Sequence, residues 1–156
     1  MASPAEKKQK PSQSAQNRSA RLLAVQTLYA VYHSGEPVRE VAAEILARSE
    51  SYELEGEKII PPNKVLYQKI VTGVFERGAD IEGIMTANIK NPKENDSEVL
   101  LKSILMCGIY ELLAHHDIDV GIIINDYLDV AHGFYDSAQV KLVNGVLDSV
   151  AKILRA

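Results

Sequence analysis

The sequence predicts an all-α protein: a compact single-domain bundle of about seven helices over residues 17–156, behind a basic arm at 1–16. Three observations carry this. Apolar residues recur at spacings of three and four through seven segments. Gly, Pro and Asn punctuate the chain between those segments. No alternating apolar–polar run marks a strand. Val120 to Ile124 is β-branched enough to imitate one, but the spacing that follows it is helical.

Residues 1–16 are rich in Lys, Gln, Ser, Ala and Pro without apolar periodicity, which predicts a disordered arm. Asn17 is positioned to cap a first helix over about 18–33, with Leu22, Val25, Leu28, Tyr29 and Tyr32 on one face. Gly35 suits its end and Pro37 the first turn of a second helix carrying Val38, Val41, Ala42, Ile45 and Leu46. An acidic loop over 49–62 follows and closes on Pro61-Pro62. The third helix, about 63–76, should bury Leu66, Ile70, Val71, Val74 and Phe75; Gly78 breaks the pattern. The fourth, about 79–89, should bury Ile81, Ile84 and Met85. After Asn91-Pro92, Asp96 or Ser97 is placed to cap a fifth helix over about 97–115. That helix is apolar on too many sides for a surface element, so it belongs at the centre. The sixth and seventh helices are expected at about 120–134 and 137–154.

A chain of 156 residues can bury a core. With 46% hydrophobic and 24% charged residues it reads as a globular domain rather than a disordered one. No apolar run approaches the ~20 residues that span a bilayer, and no apolar stretch follows the N-terminal lysines closely enough for a secretory signal. The single cysteine, Cys107, rules out an internal disulfide and falls in an apolar pattern, as a small core residue would. A cytoplasmic location is the resulting expectation.

Charge is distributed unevenly. Residues 1–21 hold Lys7, Lys8, Lys10, Arg18 and Arg21 against Glu6, a balance of +4, so the rest of the chain carries −8 of the net −4. A basic arm on an acidic body suits two partners, phosphates for the arm and a basic protein for the body; a solvated tail on a globular domain has the same composition. Cations gathered before a helix N-terminus oppose its dipole, yet together with the free N–H groups there they form a reasonable phosphate site.

Catalytic signals are absent. The sequence holds neither a glycine-rich phosphate loop nor a nucleophile elbow. His115 and His116 are adjacent, so their side chains diverge on a helix. Asp126, Asp129 and His132 supply too few ligands for a metal. The expectation is a protein that is not an enzyme and needs no cofactor.

The seventh helix holds an anomaly. Val143, Val146, Leu147, Val150, Ile153 and Leu154 form an apolar stripe, but Asn144 and Gly145 sit mid-helix, where Gly costs roughly 1 kcal/mol against Ala. Either the amide bonds a neighbouring loop and the Gly lets two helices cross, or both serve a close approach by a ligand.

Three blocks in order carry a resemblance to the NusB family of bacterial transcription antitermination factors. Arg21-Leu22-Leu23-Ala24-Val25-Gln26-Thr27-Leu28-Tyr29 resembles the family's R-x-x-A-x-Q-x-L-Y. Ile109-Tyr110-Glu111-Leu112 through Ile124-Asn125-Asp126 resembles A-Y-E-L…I-N-E. Lys141 to Asp148 resembles K-F-V-N-G-V-L-D. The resemblance covers roughly residues 18–154. It implies a compact helical fold and a factor that binds boxA-type single-stranded RNA in the leaders of ribosomal RNA operons, together with the ribosomal protein NusE, within the RNA polymerase antitermination complex. By position, Arg18, Arg21 and Lys141 match the family's RNA surface; Lys7, Lys8 and Lys10 extend it by composition. Asn144 and the Arg21 guanidinium plane are the candidates for base contact. The partner-docking surface falls on Asp96, Glu98, Leu101 and Lys102.

The departures from the family are Leu142 where an aromatic is common, Leu101 and Met106 in place of charges, and Asp119 and Gly121 in place of a frequent Pro and Lys. Apolar residues at a docking surface favour the alternative reading, a self-associating helical module without RNA binding, and some family members form homodimers that cover the RNA surface. NusB-like domains also precede certain RNA methyltransferases; 156 residues hold no cofactor-binding domain besides the helical one, so that reading is expected only of a fragment of a longer chain.

Overall fold

The computed structural model describes residues 11–51, 53–54, 57–58, 60–89 and 98–155. Among them are seven helices: α1 (Gln13–Ser34), α2 (Val38–Ser51), α3 (Lys64–Glu76), α4 (Gly78–Asn88), α5 (Val99–Ala114), α6 (Val120–Phe134) and α7 (Ser137–Leu154). Two-residue strands, β1 (Glu53–Leu54) and β2 (Glu57–Lys58), pair antiparallel between α2 and α3. The predicted loop over 49–62 therefore gives its first residues to α2 and holds a short ladder. The bundle is all-α, as expected.

The helix ends follow capping chemistry. Ser12 caps α1 by accepting the Ala15 N–H at 3.1 Å, so the helix starts five residues earlier than the expected 18 and takes in residues 13–16 of the predicted arm. Asn17, expected to be that cap, lies inside the helix. Its Oδ1 accepts from Asn63 Nδ2 at 2.9 Å, and Asn63 in turn caps α3 at the Leu66 N–H. Gly35 closes α1 in the left-handed region at φ 73°, where the absence of a Cβ is what the turn requires. Asp119 and Asp136 cap α6 and α7. Glu98 precedes α5 without a side-chain cap, and the predicted caps Asp96 and Ser97 lie outside the described residues.

α5 is the centre of the bundle, packed against α1, α3, α4, α6 and α7. Ile104, Leu105, Met106, Cys107, Ile109 and Leu112 are buried on almost every side of it. Two glycines permit this density. A Cβ on Gly73 of α3 would fall 2.0 Å from the Tyr110 ring, and one on Gly108 of α5 would fall 2.8 Å from Leu147. These are the close helix crossings; Gly145, one candidate for that role in the sequence, faces open space. Cys107 is a fully buried core residue whose thiol burial pushes well up in pKa.

Candidate nucleic-acid interface

Arg21 projects from α1 into the bundle and is 1% exposed. Its Nε donates to Glu111 Oε2 at 2.7 Å and its Nη2 to Glu111 Oε1 at 3.1 Å, a bidentate pair; its Nη1 donates to Asp126 Oδ2 at 2.8 Å. Tyr127 Oη donates to Glu111 Oε2 at 2.6 Å, and His115 Nδ1 lies 2.8 Å from Glu111 Oε1. Burial works to raise the Glu111 carboxyl, but the His115 and Arg21 hydrogen bonds, the Arg21 charge and the Tyr127 hydroxyl hold it below the ordinary range. Burial also works against the Arg21 charge, and Glu111 and Asp126 overcome it. Two carboxylates and one guanidinium thus tie α1, α5 and α6 together.

This overturns the assignment of Arg21 to RNA. A guanidinium enclosed by two carboxylates has no free donor edge or face for a phosphate or a base. Its place was readable from spacing. Arg21 precedes Val25 by four and Leu28 by seven, and Glu111 follows Cys107 by four and Ile104 by seven. Asp126 follows Ile123 by three and precedes Val130 by four. Opposite charges on the buried stripes of three helices signal an internal ion pair.

A second polar device went unread in the sequence. Arg155, just past α7, donates to the carbonyls of Leu112, Ile118, Glu111 and His115 at 2.7–3.2 Å. The last turn of α5 leaves carbonyls without helical partners, and one guanidinium answers four acceptors there and in the turn beyond.

The other expected RNA residues lie outward. Arg18, one turn before Arg21, has a side chain 55% exposed with Nε 3.7 Å from Asp126 Oδ1. Asp126 is already bonded by Arg21 at 2.8 Å, so Arg18 is steadied by the carboxylate yet keeps its charge toward solvent. Lys141 and Asn144 are both exposed on the outer face of α7, and neither side chain is hydrogen-bonded or ion-paired among the described residues. The amide therefore does not tie down a loop. Gly145 beside it would carry a Cβ with nothing within 4 Å. No hydrogen bond or ion pair joins Arg18 to the α7 pair; α1 and α7 instead share α5 and α6 as packing partners. Lys7, Lys8 and Lys10 lie outside the described residues.

The expected partner surface changes more. Leu101 is 3% exposed and belongs to the core, because its apolar side chain turns inward with Ile104 and Leu105; it is not available to a partner. Met106 is buried likewise. Glu98 is exposed, and Lys102 pairs with Glu82 at 2.8 Å while lying 5.2 Å from the centre of the Tyr32 ring. Asp96 is outside the described residues. Tyr29, 39% exposed and stacked on His33, adds an aromatic surface on α1 that position 142 lacks.

The bundle superposes on solved structures of NusB type. T. maritima NusB matches with a TM-score of 0.71 at 24% identity, over 86% of this chain and 89% of that one. The crystal structure of antitermination factors NusB and NusE in complex with dsRNA matches at 0.75 and 20% identity, over 91% and 99%. The fold class is thus a NusB-like helical domain. Sequence carries it further. The NusB family model matches residues 18–152. Transcription antitermination protein NusB of Rhizobium rhizogenes is 34% identical over 151 residues, covering 94% of this chain and 93% of the relative. That of Rhizobium etli is 34% identical over 155 residues, covering 97% and 96%. The chain belongs to the NusB family.

Proposed function

We propose that this protein is a transcription antitermination factor. In this reading it binds boxA-type single-stranded RNA of ribosomal RNA operon leaders together with NusE, and joins the RNA polymerase antitermination complex in the cytoplasm. Family membership over residues 18–152 is the observation that carries the reading. The relatives are named for antitermination, and a solved NusB of the same fold is in complex with NusE and dsRNA. The chemistry is binding, with phosphates met by Arg18, Lys141 and the N-terminal lysines and base edges met by the free Asn144 amide. Arg21 has no part in it. Glu98 and Lys102 remain as the accessible part of the proposed NusE surface.

The self-associating module loses the support of Leu101 and Met106, the apolar residues that favoured it, because both are internal. The deciding experiment is binding to a boxA-type oligomer and a scrambled one, with and without NusE, across a salt series. Preference for boxA that NusE strengthens, with log K falling against log salt at a slope of roughly −2 to −3.5 for ~3–5 neutralised phosphates, is the expected result. Equal weak binding to both oligomers, unchanged by NusE, contradicts the reading.

A further inference from the structure

We propose that the cleft between α1 and α6 receives one unstacked base of the bound RNA, its phosphate held by Arg18; the proposal rests on the RNA-binding reading above. The cleft has a volume of about 460 Å³ and is lined by Leu22, Ile60, Val130, Gly133 and Phe134. Small-molecule sites run roughly 300–1,000 Å³, so a base fits. Phe134 and Ile60 are 49% and 44% exposed, leaving apolar surface that a base would remove from water. A Cβ on Gly133 would meet nothing within 4 Å, so the missing side chain keeps the cleft open. Polar groups share the lining. Gln26 offers both a donor and an acceptor, and the Asp129 carboxylate accepts from an exocyclic amino group.

Charge selects RNA as the occupant. Arg18 lines the cleft, half-exposed, with Nε 3.7 Å from a carboxylate whose hydrogen bond goes to Arg21. Its outer guanidinium edge is available for a phosphate. The groove between α4 and α7 provides the contrast. It is of similar size, about 500 Å³, and is likewise lined by an open helical glycine, Gly83, but its charged lining is Asp80 and it has no cation. An apolar groove with a guanidinium at its edge suits a nucleotide; one with a lone carboxylate does not.

Gly133→Leu tests this directly. Gly133 lines the cleft and its Cβ position is open, and Leu is a better helix former than Gly, so the variant should fold with its side chain occupying the cleft. Gly83→Leu is the matched control. Binding of a boxA-type oligomer should weaken about tenfold in Gly133→Leu, the scale of one lost stacking contact, and stay unchanged in Gly83→Leu. In oligomers carrying 2-aminopurine at successive positions, one position should change emission on binding to the starting protein and not to Gly133→Leu. Equal RNA affinity in the starting protein and Gly133→Leu overturns the cleft and leaves the RNA reading standing. No RNA binding by the starting protein overturns both. A dimer in sedimentation that Gly133→Leu dissociates assigns the cleft to a second copy and overturns the proposal.

Discussion

Arg18 and Arg21 lie one turn apart on the same helix and do opposite things. Arg21 is 1% exposed and bonded to two carboxylates; the Arg18 side chain is 55% exposed and makes one long contact at 3.7 Å. The same contrast separates the sequence blocks. The first two supply Arg21, Glu111 and Asp126, which with Tyr127 just beyond the second knit α1, α5 and α6 from within. The third supplies Lys141, Asn144 and Gly145, which touch little of the protein. A charged residue in a family motif is therefore not by itself a ligand contact. The stripe it falls on decides.

The largest effect should come from breaking the inner network. Arg21→Ala leaves the Glu111 carboxylate buried without its main partner and should cost about 3–5 kcal/mol in urea denaturation. Arg18→Ala, one turn away, should cost under about 1 kcal/mol, as exposed ion pairs do. Equal losses would erase the distinction between them.

Acid sharpens the same comparison. Glu111 has a folded-state pKa below its ordinary 4.5. The stability it contributes is therefore fully present above about pH 4.5 and lost as pH falls through the folded-state value. The urea midpoint should drop as pH falls below 4.5, and drop less in Glu111→Gln, which has no carboxylate to protonate. An identical acid profile in the two proteins would place the acid sensitivity elsewhere.

The smallest effect belongs to the outer region and has the opposite sign. Gly145→Ala adds a Cβ into open space mid-helix and should stabilise the fold by up to about 1 kcal/mol, read as a higher Tm. A loss of stability would mean that Gly145 is packed after all.

Periodicity sufficed for the helices. α6 and α7 fall where spacing put them, at 120–134 and 137–154, and α5 is central as its all-round apolarity demanded. The start of α1 is not legible, because a polar run with no apolar stripe reads as disorder, while Ser12 caps the helix by one side-chain hydrogen bond. The site was half legible. Arg18, Lys141 and Asn144 are exposed as an RNA contact requires. Arg21 and Leu101 lie inside because each falls on the buried stripe of its helix, a position that motif membership alone does not show. Arg155 gave no pattern at all; its four acceptors lie 37 to 44 residues away along the chain.

The most direct measurement is boxA-type RNA binding across a salt series for Arg18→Ala and Arg21→Lys, each held where circular dichroism shows it folded. Arg18→Ala should weaken binding and make the log K against log salt slope shallower by about 0.7, one phosphate contact on a single strand. Arg21→Lys, which keeps a charge in the core but loses the bidentate geometry, should lower stability and leave the slope of the folded protein unchanged. A shallower slope in Arg21→Lys with none in Arg18→Ala would contradict the proposed division between an inner arginine that holds the fold and an outer one that meets RNA.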